Sequence, residues 1–361
     1  MCGGMKNRVN KYIWIILPIV LFILFSYASA QQKQTESMDA EFYHNRGVAY
    51  GKKGLYDQAI SDYTKALETN PRYARAYYNR GVAYGKKEQY DRAIPDFTKA
   101  IEIDPTYAAA YHKRGFAYDN KGQYDRALSD FTKAIEIDPL YADAYNNRGM
   151  TYVEKGQYDQ AISDFNKAIK INPRFAAAYN SRGVTYVRKS QYDRAISDYN
   201  KAIEINPRFA GAYNNRGIVY RKKDQNDQAI ADFTKAIEID PRYAETYNNR
   251  GMTYGRKGQY DQAISDYTKA LKINPSFVRA YYNRGITYGQ KGKYGQAISD
   301  YTKALEIDPR FAEAYYNRGI AYYYKNEYDK SLKDVEKAQN LGYQTSPKLL
   351  EALRKGSGRQ N

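Results

Sequence analysis

A chain of 361 residues with 42 Tyr, 25 Gly, one Trp, one Cys and two His has the length of two or three domains but the bias of something repeated. With 43% apolar and 27% charged residues it can bury packed helices, which excludes a disordered chain, and its single cysteine excludes an intramolecular disulfide. The net charge of +17 leaves an anionic partner open until the individual charges are placed.

Lys6, Arg8 and Lys11 precede an apolar run from Tyr12 to Phe25, and the small residues Ala28 and Ala30 follow just before Gln31. This pattern predicts a Sec-type signal peptide over 1–30, cleaved after Ala30 for export to the periplasm or medium, with a linker over 31–39. The alternative is an uncleaved N-terminal membrane anchor, against which the run, broken by Pro18, is short of the roughly 20 residues that span a bilayer. Cys2 lies ahead of the run, where an acylated cysteine would follow it. Cleavage removes three cations and leaves +14.

From there on the chain repeats. Gly47, Gly81, Gly115, Gly149, Gly183, Gly217, Gly251, Gly285 and Gly319 are 34 residues apart, each with a Tyr four before it and another three after. Those offsets put glycine and both tyrosines on one side of a helix. An Ala recurs twelve residues past the glycine (Ala59 to Ala297), an aromatic four later and an Ala three after that (Ala66 to Ala338), which predicts a second helical face. Between the two faces lies Lys, commonly followed by Gly, as at Lys121 and Gly122: a cation for the C-terminal carbonyls and a residue free to take positive φ. Asp follows in eight units, from Asp57 on with Gly295 the exception, and is expected to be an N-cap or first-turn residue. Asn-Pro or Asp-Pro closes each of the first eight units, from Asn70 and Pro71 to Asp308 and Pro309, with the proline expected to open the next helix.

These residues resemble the tetratricopeptide repeat family, whose pattern of aromatic, Gly, Tyr, Ala, aromatic, Ala and Pro is matched in nine 34-residue units over 40–345. The resemblance implies an all-α fold, a right-handed α-solenoid superhelix of stacked antiparallel helix pairs. In such a stack each unit depends on its neighbours for burial. Gly81 is expected to let its helix approach the second helix near Ala93. The ninth unit departs with Ser331, Val335 and Tyr343, and residues 346–361 read as a capping helix and tail: Ser346 as N-cap, then Pro347, with Leu349, Leu350 and Leu353 on one face. Asn226 in place of Tyr and Pro95 within a second helix are local irregularities.

Every unit carries an Arg just before its glycine, Arg46 to Arg318, and an Asp on the second helix, Asp62 to Asp334. These either pair, within a unit or with a neighbour, or the arginines reach water. No block of five or six like charges forms a nucleic-acid arm.

The resemblance further implies that the first helices line a concave surface used to hold peptide segments of partner proteins. Two residues before the glycine stands a row of Asn: Asn45, Asn79, Asn147, Asn215, Asn249, Asn283 and Asn317, interrupted by Lys113 and Ser181. An amide donates to and accepts from an extended backbone at once, so this row is the expected peptide-binding set. Alternatively the amides are tolerated polar residues on a wet face. The family's basic clamp needs Asn after the glycine, where this chain has apolar residues from Val48 to Ile320. His44 and His112, without a cysteine or carboxylate cluster, do not make a metal site, and no nucleophile and base pair or phosphate loop stands out, so neither cofactor, metal nor enzyme activity is expected. The reading is a non-enzymatic exported scaffold that binds peptide segments or protein partners. The alternatives are a binder of an anionic polymer, cell-wall polymer or nucleic acid, and a ligand-free spacer.

Overall fold

The computed structural model describes residues 26–27 and 39–356, so the signal-peptide and linker assignments fall almost wholly outside the described residues. Among those described there is no strand, and no helix is long and apolar enough to cross a membrane. The chain forms two units, one up to Pro173 and one from Arg174.

The first unit holds α1 (39–52), α2 (Tyr56–Thr69), α3 (Ala74–Lys86), α4 (Tyr90–Ile103), α5 (Ala108–Asn120), α6 (Tyr124–Ile137), α7 (Ala142–Glu154) and α8 (Tyr158–Ile171). The second holds α9 (Ala176–Arg188), α10 (Tyr192–Ile205), α11 (Ala210–Lys222), α12 (Asn226–Ile239), α13 (Ala244–Arg256), α14 (Tyr260–Ile273), α15 (Val278–Gln290), α16 (Tyr294–Ile307), α17 (Ala312–Tyr324), α18 (Tyr328–Asn340) and α19 (Pro347–Gly356). In each unit the helices pack as pairs, and each pair stacks on the next. This is an all-α helical-repeat architecture of the solenoid class, with nine helix pairs among the described residues.

Local chemistry explains the turns. At the end of α3 the Gln89 N–H donates to the Tyr84 carbonyl and the Glu88 N–H to that of Gly85, both at 3.0 Å, the Schellman pattern that satisfies terminal carbonyls. The residue between the two helices is left-handed, with φ from 69° to 75° at Gly54, Gly122, Gly156, Gly258 and Gly292, and 57° to 60° where Glu88, Ser190, Asp224 and Asn326 replace glycine. Of the two places expected for the recurring Asp, the structure gives the first turn: Asp57 and its equivalents lie there and make no cap bond, and the N-cap is the residue two earlier, Leu55 or Gln89. One expectation is corrected here: the prolines do not open helices, since Pro71 lies in the turn and α3 begins at Ala74, while the Asn70 side chain accepts from the Arg72 N–H at 3.0 Å.

The repeat glycines mark a close helix contact at the expected place, and its nearest atoms belong to the aromatic four residues beyond the alanine. A Cβ added at Gly81 would lie 2.8 Å from the ring of Phe97 and one at Gly217 2.7 Å from Phe233, while at Gly115 the carbonyl of Ala127, the counterpart of Ala93, is also within 3.2 Å. The small residue thus makes room for the aromatic face of the paired helix. In the ninth pair Val335 fills that place, and buried Ser331 donates to the Gly319 carbonyl at 2.7 Å, which accounts for both departures. Pro95 leaves α4 at the same length as its counterparts because it faces solvent. Asn226 also keeps its helix, but its Oδ1 is buried without a partner. At the C-terminal end Leu353 is buried with Leu332 and Val335, Leu350 packs on them, and the Ser346 carbonyl accepts the first bond of α19; the side chain of Leu349 lies outside the described residues.

Two glycine substitutions separate packing from propensity. Gly217→Ala should cost about 1–3 kcal/mol through overpacking against Phe233. Gly289→Ala, also helical but with nothing within 4 Å of the new Cβ, should be stabilising by up to about 1 kcal/mol. Urea unfolding of the two variants gives the comparison, and equal effects would remove this account of the glycines.

Candidate functional site

The polar residues of each repeat divide into those the fold consumes and those it leaves. The repeat arginine is consumed. In every pair its Nε and Nη2 grip both oxygens of the Asp sixteen residues on, from Arg46 and Asp62 at 2.6 and 2.8 Å to Arg318 and Asp334 at the same distances. The aspartates are buried, and the guanidinium also lies over the Tyr three residues before it, as Arg80 does over Tyr77. The pairing expected from sequence is therefore present, within each unit of the repeat rather than between neighbours. Sequence reasoning missed the third nitrogen: Nη1 of Arg80, Arg114 and Arg148 donates at 3.0 Å to Thr64, Thr98 and Thr132 on the preceding repeat. In the second unit Arg250, Arg284 and Arg318 do the same to Thr234, Thr268 and Thr302, and Arg216 to Asn200. The signal was present in the recurring Thr or Asn two residues after that Asp.

The lysine that ends each first helix is also used. Lys87, Lys121 and Lys155 reach Asp57, Asp91 and Asp125 of the preceding repeat, as Lys223, Lys257 and Lys291 reach Asp193, Asp227 and Asp261. Their ammonium groups thus bridge repeats rather than capping carbonyls. Where Gly295 replaces the aspartate, Lys325 pairs with Glu327 at 2.8 Å. Lysines of the second helix pair at the surface with Glu three residues on, as Lys99 does with Glu102.

The asparagine row is half consumed. Asn79 and Asn147 donate from Nδ2 to Nε2 of His44 and His112, each at 2.9 Å. Asn215, Asn249 and Asn283 donate to Oδ1 of Asn180, Asn214 and Asn248 at 3.0, 3.1 and 2.9 Å, and Asn317 to the Tyr282 hydroxyl at 2.9 Å. Each amide ties its helix to the first helix of the preceding repeat. Asn45 has no such donation and contacts His44 at 3.4 Å. The Oδ1 atoms of Asn147 and Asn215 accept from Nδ2 of Asn146 and Asn214 at 3.3 and 3.5 Å, while those of Asn79, Asn249, Asn283 and Asn317 accept nothing from the described residues, and each inter-repeat bond uses one of the two N–H donors of its amide.

These bonds also fix the His112 tautomer. Its Nε2 accepts from an amide, so Nδ1 carries the hydrogen and donates to the Tyr141 hydroxyl at 3.0 Å. Burial, then the charge of Lys113, hold the ring neutral and pull its pKa to about 3.

Next to the amide, on the same face, stands the apolar residue that follows the glycine. Phe116 and Met150 are exposed there, and Val184 and Ile218 are half-buried. Between α9 and α11 these positions line an open cavity of about 430 Å³ with Asn215, Val187, Arg188 and Lys222. Among the described residues no three His, Cys, Asp or Glu come together as a metal site.

Comparison with known proteins agrees with this construction. The family model for the tetratricopeptide repeat matches residues 40–73, 74–107, 108–141, 142–175, 210–243, 244–277 and 278–311. The chain belongs to the tetratricopeptide repeat family. Related repeat models match 165–197, 185–224 and 300–333. Among solved structures, the anaphase-promoting complex hetero-tetramer Cut9-Hcn1 is similar at 20% identity and a TM-score of 0.59, over 74% of this chain and 52% of that one. This chain thus spans about half the length of that relative. Yeast Tom70 aligns at 16% identity and a TM-score of 0.51, over 97% of this chain and 96% of its own. A tetratricopeptide repeat protein from Parabacteroides merdae does so at 20% and 0.52, over 70% and 98%. At these identities the likeness is one of fold. A search of curated proteins returns no match.

Two predictions follow from the buried polar groups. Arg250→Gln leaves the Asp266 carboxylate buried without its cation and should cost about 3–5 kcal/mol in urea unfolding, whereas Lys99→Gln at the surface should leave stability unchanged. For His112, the unfolded ring binds a proton below its usual pKa near 6.5 and the folded ring does not, so its contribution is complete above 6.5 and is lost as pH falls toward 3. His112→Asn, with the residue that Asn146 and Asn214 supply in other repeats, should flatten that decline by about 1.4 kcal/mol per pH unit between pH 6 and 4. Parallel slopes for variant and parent would exclude the assignment.

Proposed function

We propose that the chain is a non-enzymatic exported scaffold that holds an extended peptide segment of a partner protein on the face of its first helices. Membership of the tetratricopeptide repeat family supports a protein-binding scaffold in general. The observation that carries the finer reading is the cavity between α9 and α11, where Asn215 stands among Val184, Val187 and Ile218. Amide oxygens repeated at 34-residue intervals offer acceptors to backbone N–H groups, and the apolar residues between them offer sites for side chains. The nine repeat arginines, each closed on an aspartate, do not themselves offer a cationic surface to an anionic polymer.

Export is part of the proposal and rests on residues 1–30; a mature N-terminus at Gln31 is its expected outcome in N-terminal sequencing. For the site, a photo-crosslinking residue at Ile218 should capture a peptide partner in the native cell. Because the asparagines also bind neighbouring repeats, matched variants are needed. Asn215→Ala and Asn283→Ala should abolish capture, while Asn180→Ala and Asn248→Ala, which break the same inter-repeat bonds from the other side, should retain it. Equal loss in both sets would reduce the row to a structural ladder.

A further inference from the structure

Because the repeats are near copies, a side chain that departs from its counterparts reports a demand other than that of the fold. On the last turn of the first helix, four and five residues after the repeat glycine, α9 carries Arg188, α11 carries Arg221 and Lys222, and α13 carries Arg256. Lys52 and Lys86 hold the later place in the first two repeats, but α5 has Asp119 and Asn120 there, α7 has Val153 and Glu154, and α15 has Gly289 and Gln290. All form helices of the same length, so folding does not require the cations.

Nor does the fold neutralise three of the four. Arg221 is half-buried, and its Nη1 lies 3.3 Å from Sδ of Met252 and 3.5 Å from the Asn249 carbonyl, both uncharged. Burial, and after it the charge of Arg256, pull its pKa below the usual value. Arg256 donates to the Arg221 carbonyl at 3.2 Å, which brings a second guanidinium to the end of α11, and its carboxylate partner Asp224 is 3.5 Å away and largely in water. Lys222 lies over the Tyr192 ring. Among the described residues, neither Arg188, Arg221 nor Lys222 forms an ion pair. Whereas each repeat arginine closes on a buried aspartate, half-buried Arg221 meets no carboxylate among the described residues.

We propose that Arg188, Arg221, Lys222 and Arg256 receive the carboxylates of an acidic peptide segment whose apolar side chains enter the cavity between α9 and α11. The inference rests on the reading of the first-helix face as the binding surface. A peptide fits better than a polyanion because Arg188 and Lys222 share that cavity with Val184, Val187 and Ile218, so cationic and apolar side chains line the same space. A polyphosphate or nucleic acid backbone has nothing to set against the apolar ones.

The test uses the full chain and two fluorescent peptides, one alternating Glu with Leu and one alternating Gln with Leu, titrated by anisotropy at physiological salt. The parent should bind the Glu peptide at least tenfold more tightly. The triple variant Arg188→Gln, Lys222→Gln, Arg256→Gln should lose that preference and keep its affinity for the Gln peptide. A control with the same charge change on the second helices, Lys201→Gln, Lys235→Gln, Lys303→Gln, should behave as the parent. Arg221→Gln should also lose the preference while melting no lower than the parent, since it removes a charge without a counter-ion. Equal binding of both peptides by the parent would overturn the acidic preference and leave peptide binding intact, whereas binding of neither would remove both readings. A matching loss in the control, or competition by polyphosphate that outranks the Glu peptide, would also overturn the proposal, the latter in favour of an anionic polymer.

Discussion

One guanidinium per repeat locks a pair of helices, and in seven of the repeats it reaches a third. It stands on the first helix of the pair and closes on a buried carboxylate of the second, and in Arg80 and six others the remaining nitrogen donates to a hydroxyl or amide of the preceding pair. Because the charged fork is planar and rigid, it fixes the rotation of one helix against the other as well as their separation. Apolar contacts alone tolerate sliding; a bidentate pair does not. The glycine beside it completes the constraint by letting the aromatic ring of the partner helix press against bare backbone.

That clamp changes the meaning of the chain's positive charge. A net +17 suggests a partner of opposite sign, yet the nine most regular cations are matched inside the fold, and many of the lysines are matched between repeats or at the helix surface. Because each such pair is neutral, the excess cations stand elsewhere on the chain. Some of them stand on the last turns of α9, α11 and α13, where the counterparts are Lys in the first two repeats and acidic or uncharged in the others.

Much of this was legible from sequence because the period is strict. Nine glycines at one spacing locate both helices of each pair, and the Arg and Asp columns announce a pairing before any coordinate is known. The terminal helix was legible for the same reason: Leu350 and Leu353 lie a turn apart where the repeat stops, and both find the last core. What could not be read was direction. Columns of Lys and Asp in neighbouring units give no indication whether Lys87 caps its own helix or crosses to Asp57, because that depends on how far one pair is rotated on the next. The inter-repeat bonds of the asparagine row are illegible for the same reason: in sequence it is a column of amides, and only the stack reveals that the residue just before it, His44 or Asn214, lies within reach of the next repeat.

The division between consumed and unconsumed groups bears on how such a protein can acquire specificity. Each amide that binds its neighbour spends one of its two N–H donors and is held in one orientation, which costs it adaptability but gives its oxygen a fixed position. Under the proposed function, such a row would hold an extended chain by its backbone, regardless of its side chains. Discrimination must then come from positions the stack does not use, the residue after the glycine and the last turn of the first helix. There the repeats differ in size, from Phe116 to Ile218, and in charge, from Glu154 to Arg188. Uniformity in the clamp thus permits variety at the surface, because a substitution on the last turn need not disturb the buried pair that holds the helix in place.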